Sequence, residues 1–227
     1  MSPRFLALIP AAGIGERAGS GVPKQYAPIN GQPMLTHTIA AFTTCASIEA
    51  VHVILATHDN WPETLGGSRF SSNVQFHRSG GPTRVQSVLN GLKAIEADAA
   101  DWILVHDAAR PCITPAMIEG LIAGLKDDAV GGLLALPVPD TVKRANSQGR
   151  VAETISREGL WLAQTPQMFR YGVLRDALER CPDVTDEAGA IERAGLRPKL
   201  VHGDARNIKV TYPVDFAMAE SYLGSRL

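Results

Sequence analysis

The sequence predicts an α/β fold in which a doubly wound, mostly parallel, Rossmann-like sheet carries a projecting β-arm. Short apolar runs alternate with segments of helical spacing through the first half of the chain, as in successive βαβ units. The runs are apolar almost throughout, which is typical of parallel strands covered by helices on both faces. A polar, turn-rich segment after Pro139 interrupts this pattern and predicts the arm.

The first half of the chain contains the clearest elements. The predicted strands are "FLALIP", "AVHVILA", "VQFH", "WILVHDA" and "GGLLALPV". The predicted helices are "PMLTHTIAAFTTC", "PTRVQSVLNGLKAIEA" and "TPAMIEGLIAGLKD". Pro82 and Pro115 suit the first turns of the last two helices, where a missing N–H costs nothing. We expect right-handed crossovers between the parallel strands.

The arm is predicted over residues 139–160, as two short strands joined by a turn at "NSQG". A polar hairpin cannot build its own core and is marginal in water, so we expect it to lean on a second subunit. The chain then returns to a helix, two strands and a closing helix, at "DEAGAIERAG", "PKLVHG", "NIKVT" and "PVDFAMAESYLG". Residues 1–227 are therefore predicted to form a single domain with one β-arm.

Composition excludes several classes of protein. The formal net charge of -1 lacks the basic surplus of a nucleic-acid-binding surface. Three widely separated cysteines indicate idle or buried thiols in a reducing compartment. The longest charge-free run, residues 25–48, contains prolines and polar residues and is no membrane span. Because the first apolar run begins within a few residues of Met1, we expect no signal peptide. We expect a cytoplasmic protein that binds neither membrane nor nucleic acid.

A glycine-rich loop follows the first strand, at "PAAGIGERAGSGVPKQY" (residues 10–26). Its first residues fit the dinucleotide fingerprint G-x-G-x-x-[GA], which also needs a continuing helix and an acid roughly 20 residues further on. Glycines and Pro23 break such a helix, and no acid occurs between Glu16 and Glu49. There is no G-K-[ST] either. Both the NAD-binding loop and the Walker A loop are disfavoured.

Two fixed cations, Arg17 and Lys24, remain in this loop. Glycines let backbone N–H groups approach phosphate oxygens, and a guanidinium with an ammonium suits a triphosphate whose charge changes during reaction. The alternative is a loop with two solvated surface charges. We interpret the loop as a triphosphate site.

The loop resembles the signature of the sugar-alcohol-phosphate cytidylyltransferases, most closely the 2-C-methyl-D-erythritol 4-phosphate cytidylyltransferase family of the non-mevalonate isoprenoid pathway. Further motifs match in the family's order and spacing, namely "HDAARPC", "PVPDTVKR", "REGLWLAQTPQMF", "TDEAGAIERAG" and "NIKVT". The resemblance implies a nucleotidyltransferase-type fold, CTP and a sugar-alcohol phosphate as substrates, a divalent cation such as Mg²⁺, and a homodimer held by the arm. It also implies that nucleotide contacts come from Ala11, Ala12, Gly13, Gly15, Gly81, Ser87 and Ala108.

Asp107 ends the strand "WILVHDA", where ligands sit in open α/β sheets. Its carboxylate suits a magnesium ion carried by phosphates, although a capping role for the next turn is the alternative. We assign no chemistry to His106, which we expect to pack or hydrogen-bond locally. The resemblance directs Arg110 toward the substrate phosphate of the neighbouring subunit, while the sequence alone equally allows an ion-pair partner.

A second glycine turn, "SGGPTRVQSVLNGL", opens a helix whose N-terminus favours anions. Arg84, Ser87 and Gly91 share one helical face. The resemblance places the cytidine here, in contact with Gly81 and Ser87. An ordinary capped helix packed on the sheet is the alternative.

The phosphate substrate needs cations and hydroxyls, which the later motifs contain. The resemblance assigns Arg157 and Lys209 to positioning the attacking phosphate and Thr141 to a role across the dimer. Thr165, in or beside the arm, is a further hydroxyl candidate for binding this substrate. Thr185 is a weaker candidate, because "TDEAGAIE" is first of all an N-cap and helix opening.

Other enzyme classes lack their motifs: the chain has no G-x-S-x-G, no H-E-x-x-H and no cysteine–histidine cluster at metal spacing. The expected reaction is in-line attack of the sugar-alcohol phosphate on the α-phosphorus of CTP, with Arg17, Lys24, Arg157 and Lys209 as catalytic residues and Asp107 as metal ligand. Two alternatives stay open: the same chemistry on ribitol 5-phosphate, and a non-catalytic nucleotide-binding protein.

Overall fold

The computed structural model describes residues 2–13, 23–64 and 70–225. Its strands are β1 (Phe5–Pro10), β2 (Pro28–Ile29), β3 (Gln32–Pro33), β4 (Ala50–Ile54), β5 (Val74–His77), β6 (Trp102–Val105), β7 (Gly131–Pro137), β8 (Val142–Ala145), β9 (Val151–Ile155), β10 (Trp161–Arg170) and β11 (Lys199–His202). Its α-helices are α1 (Met34–Thr43), α2 (Trp61–Thr64), α3 (Arg84–Ala94), α4 (Pro115–Leu125), α5 (Tyr171–Arg180), α6 (Glu187–Arg193) and α7 (Pro213–Gly224), and Lys24–Tyr26 form a 3₁₀ turn.

In this described part of the chain, seven strands form one sheet in the order β11-β7-β10-β6-β1-β4-β5. β1 runs parallel to β4 and β6, β4 parallel to β5, and β7 parallel to β11. Among the described strands of this sheet, only β10 runs against its neighbours, pairing antiparallel with both β6 and β7. The predicted α/β fold with a mostly parallel sheet is confirmed.

Helices cover both faces of the sheet, which is why the central strands β1 and β6 are apolar throughout. Ala7 and Ile9 of β1 lie in a core that includes residues of α1 and α4. Leu6 and Leu8 point the other way, into a core with residues of α3, α5 and α6. Alternate residues of one strand thus serve two cores, because successive side chains of a strand face opposite sides.

Three details of the predicted elements are wrong. "NIKVT" lies in irregular backbone, since residues 207–211 form no strand. β10 and α5 were not predicted: Pro166 lies inside β10, and proline lowers the expectation of a strand. Pro82 precedes the N-cap of α3, Thr83, whereas Pro115 does open α4.

The arm forms as predicted at the level of secondary structure. β8 and β9 pair antiparallel and are separated from the main sheet, with the turn at residues 146–150 between them. Its residues are mostly exposed, including Val151 at 64%. The thiols of Cys45 and Cys112 are buried, as expected. Among the described helices, none has the length and hydrophobicity that crossing a bilayer requires.

Gly132 is required by the closeness of β11. A Cβ at this position would lie 1.9 Å from the Lys199 carbonyl oxygen, so the strand pair β7–β11 must move apart to admit one. Gly120, exposed on α4, has open space where its Cβ would be.

We predict that Gly132→Ala destabilises the protein by about 3 kcal/mol, the scale of a severe steric conflict in a packed sheet. Gly120→Ala is the matched control and should stabilise it by about 0.5–1 kcal/mol, because alanine loses less backbone entropy in a helix. Urea unfolding of both variants measures the difference. Equal stabilities of the two variants would contradict the close approach of β11.

Candidate active site

A cleft of about 560 Å³ opens where β1 and β6 end, at the carboxyl edge of the sheet. Segments that follow β1 and β6 meet there with the start of α3, as the topology of a doubly wound sheet requires. The residues that line it are Pro10, Ala11, Ala12, Gly13, Lys24, Gln25, Gly81, Pro82, Thr83, Arg84, Ser87, Asp107, Ala108, Ala109 and Lys209. This set brings together the predicted residues Ala11, Ala12, Gly13, Lys24, Gly81, Ser87, Asp107, Ala108 and Lys209.

Lys24 is held at one wall of the cleft by the 3₁₀ turn that it begins. The buried Gln25 ties this turn to the end of β1, because its Nε2 donates a hydrogen bond to the Ala11 carbonyl at 2.9 Å. The Lys24 ammonium donates to the Val210 carbonyl at 2.8 Å, next to Lys209. Gly15 and Arg17 lie outside the described residues, so their assigned roles stay predictions.

The opposite wall is the glycine turn before α3. A Cβ on Gly80 would lie 2.3 Å from that of Ala12, so this glycine lets the turn approach the first loop. The buried Ser87 braces the turn: its hydroxyl accepts from the Gly81 N–H at 3.0 Å and lies 2.9 Å from the Thr83 carbonyl. Thr83 caps α3 by accepting from the Gln86 N–H. Gly91 packs against Ile54, away from the cleft.

Asp107 is the centre of an ion network. Its Oδ1 accepts from Arg84 Nε at 2.7 Å, and its Oδ2 accepts from Lys209 Nζ at 2.8 Å. The remaining two Arg84 nitrogens donate to both oxygens of Glu187, at 2.7 and 3.0 Å. Negative and positive groups thus alternate from the buried Glu187 through Arg84 and Asp107 to Lys209.

These contacts decide the charge of each group. Burial alone would raise the pKa of Asp107, but the charges and hydrogen bonds of Arg84 and Lys209 outweigh it and hold that pKa far below its usual range. Burial likewise acts to lower the pKa of Arg84, and Glu187 with Asp107 raises it instead. Asp107 is therefore an anion and Arg84 a cation at any physiological pH.

A layer of neutral hydrogen bonds supports the network from beneath. The Thr165 hydroxyl accepts from the Asp107 N–H at 3.1 Å and lies 3.0 Å from His106 Nδ1. His106 Nε2 lies 3.1 Å from the Arg110 carbonyl, which can only accept, so Nε2 carries the proton and Nδ1 accepts from Thr165. Burial lowers the pKa of His106 to about 4, and the ring is neutral. The expected local role of His106 is confirmed.

Asp107 is a suitable single ligand for a divalent cation that arrives on phosphates. Its side chain lines the cleft, is ionised, and has hydrogen-bonding capacity beyond the two cations it accepts from. Mg²⁺ bound to a nucleotide needs only one or two protein carboxylates. Across residues 2–13, 23–64 and 70–225, no three His, Cys, Asp or Glu residues cluster so as to hold a metal unaided.

A comparison with known proteins identifies the family to which the chain belongs. A family model described as 2-C-methyl-D-erythritol 4-phosphate cytidylyltransferase matches residues 5–225. The chain belongs to this family. The cytidylyltransferase of that name from Dechloromonas aromatica is 55% identical over 226 residues, covering 99% of each chain. The one from Chromobacterium violaceum is 51% identical, over 98% of this chain and 99% of the relative.

Solved structures of the family share this fold. The crystal structure of the Francisella tularensis 2-C-methyl-D-erythritol 4-phosphate cytidylyltransferase superposes with a TM-score of 0.83 at 35% identity. The match covers 96% of this chain and 99% of that one.

Several residues predicted from the cytidylyltransferase resemblance lie away from the cleft of their own chain. Arg157 and Thr141 are exposed at the base of the arm, where the Arg157 guanidinium donates to the Pro139 carbonyl. Thr185 lines a separate surface depression beside α6. Arg110 lies behind the cleft, donating to the Asn207 carbonyl at 2.6 Å, with its Nε 3.8 Å from Asp107 Oδ2.

Three residues at this site have no role predicted from the sequence: Gln25 and Arg84, which line the cleft, and the buried Glu187, which binds Arg84. Arg84 was recognised only as part of a helical face. Glu187 begins α6, and an acid in a first turn is ordinarily explained by the helix dipole, so the sequence holds no signal that it is buried. Its partner lies 103 residues away.

Proposed function

We propose that this protein transfers the CMP group of CTP to 2-C-methyl-D-erythritol 4-phosphate, giving 4-diphosphocytidyl-2-C-methyl-D-erythritol and pyrophosphate. Membership of the cytidylyltransferase family over nearly the whole chain carries the proposal. The cleft supports it chemically, because Lys24, Lys209 and Asp107 line one space beside a glycine-rich wall. Such a site positions and neutralises phosphates.

The reaction needs positioning and charge stabilisation. A phosphate oxygen of the sugar-alcohol substrate forms the new bond to the α-phosphorus of CTP, and the bond from that phosphorus to the β-phosphate bridging oxygen breaks. Pyrophosphate leaves with the electron pair. The nucleophile is already ionised, so no general base is required. Lys24 stabilises charge on the reacting phosphates, assisted by Arg17, and Lys209 orients the attacking phosphate.

Mg²⁺ is proposed as the cation that accompanies CTP, with Asp107 as its protein ligand. A bound divalent ion would neutralise charge on the triphosphate and polarise it for attack. Asp107 is already ionised and fixed by Arg84, which keeps its carboxylate oriented toward the cleft.

A homodimer is proposed through the arm. Arg157 and Thr141 are exposed at its base, and neither lines the cleft formed by the described residues of the same chain. Exposed apolar side chains lie on the arm and just beyond it, at Val151 and Leu162. A second subunit that covered these side chains would bury apolar area. In a dimer, Arg157 and Thr141 would serve the cleft of the partner subunit.

Pyrophosphate release tests the function. Purified protein with CTP and Mg²⁺ is assayed against 2-C-methyl-D-erythritol 4-phosphate, ribitol 5-phosphate and no acceptor. We expect release with the methylerythritol phosphate at a kcat/KM at least ten times that with ribitol 5-phosphate. A preference for ribitol 5-phosphate, or binding of CTP without release, would contradict the proposal.

Lys24→Ala should lower kcat by at least ~100-fold at saturating substrates, the scale of losing one preorganised charge stabiliser. Lys126→Ala, an exposed lysine at the end of α4, is the matched control and should retain wild-type turnover. Thermal unfolding of both variants checks that folding is intact. Turnover of Lys24→Ala within threefold of wild type would refute the role of this residue.

Shortening the arm should give monomers. Lys143 pairs with Thr154 across the hairpin, so residues 144–153 can be replaced by an Asn-Gly turn without changing the register. Sedimentation velocity of the wild type should give the mass of two chains and that of the shortened protein the mass of one. An unchanged mass on shortening would contradict an arm-mediated dimer.

A further inference from the structure

We propose that Glu187 is a positioning residue of the reaction: through its ion pair with Arg84 it keeps that guanidinium off the phosphates and fixes Asp107, which in turn holds Lys209. This inference rests on the proposed cytidylyl transfer and adds a requirement to it. Glu187 itself does not line the cleft formed by the described residues, whereas Arg84, Asp107 and Lys209 all do.

The Arg84 guanidinium is fixed in orientation by its hydrogen bonds. Its fork donates two hydrogen bonds to Glu187, at 2.7 and 3.0 Å, and its Nε donates to Asp107 at 2.7 Å. Glu187 is fully buried, while the Arg84 side chain is 26% exposed, on the cleft. A planar guanidinium bound on two edges cannot rotate toward a ligand without breaking one of these contacts.

Glu187 is itself held rigidly. It is the first residue of α6, whose N-cap Asp186 accepts from the Gly189 N–H. Gln167 on β10 fastens this helix start to the sheet: its Nε2 donates to Asp186 Oδ2 at 2.9 Å and its Oε1 accepts from the Ala188 N–H at 2.7 Å. The carboxylate that orients Arg84 is thus anchored on both sides of its own backbone.

Removing the charge of Glu187 would release Arg84 in a specific way. The guanidinium would keep one anionic partner, Asp107, and its freed N–H groups would turn to the second oxygen of Asp107 or to the triphosphate. The first movement displaces Lys209, which binds that oxygen at 2.8 Å. The second places a cation on CTP without promoting attack. Both preserve nucleotide binding and impair the chemical step.

Glu187→Gln should therefore lower kcat by at least ~10-fold, since small displacements of aligned groups cost one to two orders of magnitude, while the Kd for CTP stays within threefold of wild type or becomes tighter. In an Arg84→Met background, the same substitution should change kcat less than twofold, because Glu187 acts only through Arg84. Steady-state kinetics and calorimetric CTP titration give both quantities.

Asp101→Asn is the matched control. The buried Asp101 binds the fork of Arg4 at 3.0 and 2.7 Å, but at the opposite end of β6. This variant removes an equivalent charge pair and should lower thermal stability while leaving kcat within twofold of wild type. Lowered kcat in both variants, in proportion to their stability losses, would overturn the positioning role.

Other outcomes are equally decisive. Wild-type kcat in Glu187→Gln, or an equal loss in the Arg84→Met background, would refute the inference. If Glu187→Gln does not fold, Arg84→Lys replaces it as the test variant. Lysine keeps the charge but cannot hold two carboxylates, so the same selective fall in kcat is expected. Wild-type turnover of Arg84→Lys would refute the positioning role. Failure of the wild type to release pyrophosphate would contradict the proposed function instead. In that case the NMR signal of ¹³C-methylated Lys209 still tests the positioning role. The inference requires this signal to shift in Glu187→Gln, because Glu187 holds Lys209 through Arg84 and Asp107.

Discussion

Asp107 has to remain charged in a nearly enclosed position, and much of the site is organised around that requirement. A carboxylate so buried is stable only with cations and donors on its oxygens. Arg84 comes from α3 and Lys209 from the segment before α7, while Thr165 of β10 accepts from its backbone N–H. The Asp107 carboxylate therefore brings four chain segments together at this edge of the sheet: its own segment after β6, the start of α3, β10 and the segment before α7.

The charged network rests on a neutral one. His106 is uncharged, with Thr165 donating to one ring nitrogen and the Arg110 carbonyl accepting from the other. Asn207 continues the layer, donating to the Thr165 carbonyl at 2.8 Å and accepting from Arg110 through its own carbonyl. Asn207 lies two residues before Lys209. The start of the "NIKVT" segment is therefore held by these contacts and not by pairing with a strand.

Sequence periodicity was sufficient where neighbours in the chain determine structure. β1 and β5 and the closing helix α7 lie where their apolar patterns predict, and strand ends correctly placed Asp107 at the cleft. Long-range pairing was not predictable. β10 inserts antiparallel between β6 and β7, and Glu187 finds Arg84 across 103 residues. Neither the strand pairing nor the ion pair produces a pattern in the local sequence, because each depends on which surfaces the folded sheet brings together.

The cleft must attract a polyanion although the whole chain carries a formal charge of -1. Among its described residues, Lys24, Lys209 and Arg84 are positive, but Arg84 is matched by the buried Glu187 and Lys209 touches Asp107. Because Glu187 neutralises Arg84 and holds its fork, this guanidinium adds little positive charge to the cleft. Cytidylyl transfer needs charge at the reacting phosphates more than it needs a strong overall field, since only stabilisation that grows in the transition state raises kcat. Glu187, which neutralises and orients Arg84, is therefore as much a part of this catalyst as Lys24 and Lys209.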